Sequence, residues 1–117
     1  MQFVIRFIIS TLAVIITSYL LPGVHLESFL TAVIVAAVLS FLNAVVKPVM
    51  IFFTIPITLF TFGLFLIIIN GAIIMLADKL VVGFEVKNFF AALLFSIMMW
   101  LITSILETLT RKREENS

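Results

Sequence analysis

The sequence predicts an all-α fold: a polytopic membrane protein with four transmembrane helices, arranged as a parallel two-hairpin repeat with a proline-broken segment between the halves. Three observations lead there. Hydrophobic residues fill 64% of the 117 positions and charged residues only 11%, where soluble domains run at about 45–50% and about 25%. One small core cannot hide that much apolar surface, so the chain belongs in lipid. The apolar residues also fall into runs near the ~20 residues that a helix needs to cross a hydrocarbon core of about 30 Å. Short connections rich in Pro, Gly and charge separate these runs, as helix ends require.

The elements follow in order. A first run at 3–21 is interrupted only by Arg6 near its start. A basic residue before an apolar run also suits a signal peptide, but this run reaches Pro22 with no small-residue cleavage pattern, so it reads as a membrane helix. Pro22 and Gly23 end it, and His25 and Glu27 mark water. A second run covers 29–46; Lys47 and Pro48 are expected to close it, because a proline pushes the preceding residue out of helical geometry. From Val49 to Ala77 there is no charge, and one straight helix of that length would extend to roughly 43 Å. Something in it must bend, tilt or lie flat. The expected division is a short interfacial or re-entrant piece at 48–55 and a third span at 56–77. Asp78, Lys79, Gly83, Glu85 and Lys87 form the next polar connection, 88–106 the last span, and 111–117 a charged cytoplasmic tail.

Charge sets orientation and excludes some partners. Arg6, Lys47 and the Arg111–Arg113 cluster fall on one side of a four-span chain, whereas Lys79 and Lys87 on the other share their loop with acids. The positive-inside rule then puts both termini in the cytoplasm. A net charge of +1 with scattered basic residues gives no reason to expect nucleic acid. Cysteine is absent and His25 is the single histidine, so no disulfide, metal site or cofactor is expected. There is no phosphate loop, nucleophile elbow or pair of carboxylates at depth, and no enzymatic activity or catalytic residue is expected.

Shifted by 60 residues, the chain lies over itself: Gly23 meets Gly83, Phe29 meets Phe89 and Ala32 meets Ala92, while Ile8, Ile9 and Leu20 meet Ile68, Ile69 and Leu80. Both halves start on the same side, so the repeat would be parallel, about an axis along the membrane normal. Small and polar residues form stripes within the runs. Ala32, Ala36, Ser40 and Asn43 share a face, repeated by Ala92, Ser96 and Thr103 with Trp100 in place of Ser40; the first helix has Ser10, Ala13 and Thr17. Pro56, Gly63, Asn70 and Ala77 recur every seven residues, with Thr54, Thr58 and Thr61 opposite. Such stripes mark close helix packing, with the hydroxyls bonded to their own backbone; a polar path through the bundle is the functional alternative.

The polar positions of interest are Asn43, Lys47, Pro48, Pro56, Thr58, Thr61, Gly63, Asn70 and Gly83. Asn43 and Asn70 are costly in hydrocarbon unless bonded, through a cross-helix hydrogen bond or through a substrate or ion. Lys47 is expected to snorkel to cytoplasmic headgroups, with anionic lipid as an alternative contact. Glu107 lies near the basic tail, which would partly neutralise it.

Leu42–Pro48 (L-N-A-V-V-K-P), I-P-I-T-L-F-T-F-G-L-F at 55–65, I-N at 69–70, V-G-F-E-V at 82–86 and F-F-A-A-L at 89–93 resemble the small bacterial four-helix family of phage holin superfamily IV, the YvlD-type membrane proteins. The resemblance covers nearly the whole chain. It implies a bacterial inner-membrane protein of four helices and a holin label, meaning self-association into membrane lesions; it carries no catalytic residue. Two function classes follow. One is a holin-like protein acting by helix packing and self-association as a homo-oligomer in the lipid bilayer, through small-residue faces. The other is a small transporter or an accessory subunit bound to another membrane protein.

Overall fold

The computed structural model describes residues 2–115, with side chains through Arg111. Residues 116 and 117 of the charged tail lie outside the described residues. Helix α1 (Gln2–Leu20) leads through a turn to strand β1 (Val24–Leu26) and helix α2 (Phe29–Phe41). A π-helical turn (Leu42–Val46) joins α2 to α3 (Lys47–Phe53), followed by α4 (Ile55–Phe60) and α5 (Phe65–Leu80). Strand β2 (Phe84–Val86) and helix α6 (Phe89–Glu115) complete the chain. Helix α1 packs on α2 and α6, and α5 packs on α6 and α2, so the four form a ring. The longest dimension is 45 Å, close to the ~40–45 Å of a bilayer with its headgroups. Three helical stretches are long and apolar enough to cross a membrane: Gln2–Leu20, Phe29–Phe53 and Phe89–Arg111.

Four expectations change. The all-α reading missed a two-stranded antiparallel ladder in which Val24 faces Val86, His25 faces Glu85 and Leu26 faces Phe84. Alternation explains it: the four apolar residues turn inward and His25 and Glu85 outward, which a two-residue side-chain period permits even in a short loop. Pro48 does not end the second helix, and 48–55 is not a separate piece. Lys47 N–H bonds to Leu42 O in the π turn, and Pro48 sits in the first turn of α3, where its missing N–H does little harm. The break comes instead at Thr54 and at 61–64. The seven-residue seam from Pro56 to Ala77 is therefore interrupted. Gly63 lies in the break with φ +86° and no atom within 4 Å of where a Cβ would be, so conformation and not packing accounts for it. Finally, α6 continues as helix past Arg111 to Glu115, so the start of the tail extends the last helix.

The break at 61–64 is a helix C-cap. Phe62 N–H donates to Leu59 O at 3.2 Å and Gly63 N–H to Thr58 O at 2.8 Å, the bond pair of a Schellman motif. Phe62 takes the left-handed position, with φ +56°.

The sheet end is built twice over. Glu27 N–H donates to Gly83 O at 2.9 Å, and sixty residues on, Lys87 N–H donates to Gly23 O at 2.6 Å. Ser28 Oγ accepts from Thr31 N–H at 3.2 Å as the N-cap of α2, and Asn88 Oδ1 accepts from Ala91 N–H at 2.8 Å at the start of α6. The buried positions correspond as well: Ile9, Thr11, Ala13, Val14 and Thr17 in α1, and Ile69, Gly71, Ile73, Ile74 and Ala77 in α5. Beneath the ladder, Phe84 and Phe95 are fully buried edge to face, with centroids 5.5 Å apart.

Candidate functional site: a polar cleft among four helices

Away from the sheet, the ring of helices leaves a cleft of about 350 Å³. Polar side chains reach it from every wall: Ser10 on α1, Asn43 on the π turn, Lys47 on α3, Asn70 on α5, and Ser96, Thr103, Ser104 and Glu107 on α6. Ile73, Ile74, Leu39 and Met99 make the apolar part, and the indole of Trp100 borders it. Local structure explains why one strand of chain supplies three of the lining positions. Leu39, Asn43 and Lys47 are spaced by four, and an ordinary helix drifts by roughly 40° between such positions. The wider π turn at Leu42–Val46 takes up that drift, which keeps Lys47 on the same wall as Leu39.

Correspondence between the halves extends into the cleft. Ser10 lies sixty residues before Asn70, Asn43 before Thr103, and Lys47 before Glu107. Two positions sixty residues apart therefore carry opposite charges in one cavity. No ion pair joins Lys47 to Glu107 among the described residues. Glu107 also lines a crevice between α1 and α6, together with Arg6 and Arg111.

Of the positions singled out from sequence, Asn43, Lys47 and Asn70 come together here. The hydrogen bond expected across helices from the two amides is absent among the described residues; both residues line the cleft. The others do not join them. Pro48 lies on the exposed side of α3, and Pro56 on that of α4. Thr61 Oγ1 donates to Ile57 O at 3.1 Å, and Thr58 Oγ1 pairs with Thr54 Oγ1 at 3.4 Å, while Thr54 Oγ1 donates to Met50 O at 2.9 Å. These hydroxyls are held locally, as packing residues would be. Gly83 sits at the ladder turn with φ +95°.

Sequence reasoning missed Ser104, and it missed Gly71, where a Cβ would come within 2.7 Å of Leu93 Cδ2. It gave Glu107 no part in a site. The signal was present: the shift that aligns Gly23 with Gly83 also lays Lys47 over Glu107 and Asn43 over Thr103. Among the described residues no group of His, Asp and Glu is placed to hold a metal ion.

The family described as "Mycobacterial 4 TMS phage holin, superfamily IV" matches residues 1–105. The chain is similar to "Uncharacterized membrane protein YvlD" of Bacillus subtilis, 31% identical over 95% of this chain and 98% of that protein. It is also similar to "Uncharacterized protein SCO3922" of Streptomyces coelicolor, 32% identical over 90% of this chain and 95% of that protein. No solved structure matches.

Proposed function

The chain belongs to the four-span phage holin superfamily IV family, and from that premise we propose that it is a compact four-helix unit of a bacterial inner membrane whose central cleft takes up a small polar group. This is the mode of action of a small transporter or of an accessory subunit, without enzymatic chemistry. One observation carries the reading: polar residues from α1, the π turn, α3, α5 and α6, Lys47 and Glu107 among them, line one cavity. Polar groups at membrane depth are costly and collect around bound solutes or water-filled paths.

In this reading α5 is the fourth span. Its sixteen residues extend about 24 Å, and the bent α4 segment supplies the remaining length. The two hairpins descend from a duplicated unit, which the paired ladder bonds, paired N-caps and matching buried positions support. The pseudo-two-fold axis then runs along the membrane normal between His25 and Glu85, through the cleft. Both termini face the cytoplasm, in keeping with the basic residues at Arg6, Lys47 and Arg111.

Absence of native cysteine makes the test direct. Single-cysteine variants Ser96→Cys and Thr103→Cys in native membranes are treated with a membrane-impermeant thiol reagent after permeabilisation, beside Ile16→Cys on an exposed apolar face of α1. Cleft cysteines should label and the apolar control should not; cleft positions as unreactive as Ile16→Cys would end this reading.

A second reading, self-association as a homo-oligomer, is favoured by a different face. Ala32 and Ala36, the small residues expected to mediate it, are fully buried within one copy. Ala37, Ser40 and Ala44 are exposed on the adjoining face of the α2–π helix, so Ser40 does not share the burial of Ala32 and Ala36, and small residues let helices approach closely in lipid. Ala37→Cys should form a disulfide-linked dimer on mild oxidation if copies meet there. A lytic holin action further requires membrane potential to collapse on induction; cells that stay energised would exclude it.

A further inference from the structure

We infer that the cleft binds an anionic phosphate group with Lys47 as its counter-ion. The inference rests on the cleft reading above and names its occupant. The charges that face the cleft and the adjoining crevice do not balance: among the described residues Lys47, Arg6 and Arg111 share one carboxylate, Glu107. Glu107 lines both the cleft and the α1–α6 crevice, so one carboxylate serves three cations, and no ion pair among the described residues joins it to Lys47, which lies half-buried on the cleft wall. A cation in a membrane protein is retained at such a position when something neutralises it.

The surroundings of Lys47 select for phosphate over other anions. Asn43, Asn70, Ser10 and Thr103 all line the cavity, so residues that carry amide and hydroxyl donors come to it from different helices. A tetrahedral phosphate accepts hydrogen bonds in several directions at once, and lysine serves it as a point charge. A halide would leave most of a cavity of about 350 Å³ unfilled, whereas that volume falls in the range of about 300–1,000 Å³ typical of small-molecule sites. Asn43 is exposed at the rim of this cavity, which opens a lateral route for the phosphodiester of a lipid headgroup beside the route for a free phosphate from water.

The two sources are separated by titrating the purified full-length protein in a neutral detergent, once with inorganic phosphate and once with a short-chain phosphatidylglycerol. Thermal unfolding is followed in both cases, and retained lipid by native mass spectrometry. A saturable rise in midpoint with phosphatidylglycerol alone assigns a lipid headgroup, and a rise with inorganic phosphate assigns a solute. Lys47→Gln should weaken binding at least tenfold, Lys47→Arg should keep it, and Lys79→Gln, an exposed lysine at the end of α5, should bind as the parent does. Asn70→Leu gives a second arm should Lys47→Gln fail to fold, and it too should bind more weakly. The inference is overturned if neither probe shifts the midpoint, or if Lys47→Gln or Asn70→Leu binds within twofold of the parent. Labelled cleft cysteines without phosphate binding would sink this inference alone, whereas unlabelled ones would remove the cleft reading itself.

Discussion

Two glycines of similar backbone conformation and opposite surroundings allow the energy of the ladder turn to be worked out before it is measured. Gly63 has φ +86° and Gly83 has φ +95°, so alanine at either place is strained. A side chain in left-handed geometry costs about 1–2 kcal/mol. At Gly63 nothing lies within 4 Å of the new Cβ, so Gly63→Ala should cost only that. At Gly83 the Cβ would lie 2.6 Å from Glu27 Oε2, and 3.1 Å from both Glu27 Cβ and Thr31 Oγ1. The carboxylate can swing aside. Glu27 Cβ cannot move as freely, because the N–H of that residue donates to Gly83 O at 2.9 Å. Overpacking of this kind adds about 1–3 kcal/mol, so Gly83→Ala should cost about 2–5 kcal/mol in all. Equilibrium unfolding in mixed micelles of detergent and sodium dodecyl sulfate, read by circular dichroism, gives both values. Combining Gly83→Ala with Glu27→Ala should recover part of the excess by removing the carboxylate. A loss at Gly63→Ala equal to or above that at Gly83→Ala would refute the reasoning, since crowding is the only difference invoked.

The same unfolding assay checks three further expectations. Gly71→Leu should cost at least as much as Gly83→Ala, because α5 and α6 approach so closely there that even a Cβ meets Leu93 and Phe89 at 2.7 and 3.1 Å; a midpoint near that of the parent would mean the helices can part without loss. Phe62→Asn should stabilise by roughly 0.5–1 kcal/mol, since Phe62 holds φ +56° with its ring exposed and asparagine tolerates that conformation better. Ser28→Ala and Asn88→Ala should each lose about 1 kcal/mol, the worth of an N-cap; markedly unequal losses would argue that the two hairpins do not use their caps alike.

Much of the candidate site was legible one residue at a time, because depth in an apolar run is a local property. Asn43, Lys47 and Asn70 stand out against their neighbours on composition alone. Their convergence was not legible, since it depends on the π turn that keeps Lys47 in phase with Leu39, and a single inserted backbone bond leaves no mark in hydrophobic periodicity. Thr58 and Thr61 stand out equally, yet their neighbourhood satisfies them locally. Glu107 shows the converse: read alone it is a carboxylate partly neutralised by the basic tail, and only the packing of the helices brings it into the same cleft as Lys47.

By itself, the order of residues determined the solvent, the number of apolar runs and the positions of both ladder turns, because transfer of side chains into lipid and the left-handed turn at glycine are decided by residues near in sequence. Tertiary structure decided where the long middle stretch breaks. Pro48 looked like a stop, but a proline in the first turn after a π turn gives up little bonding, so the helix runs on to Phe53. The turn at 61–64 closes instead through the paired bonds of Phe62 and Gly63. It also decided that two three-residue loop segments far apart in the chain pair as strands. That pairing stabilises neither segment until the hairpins have packed, and so no local pattern could announce it.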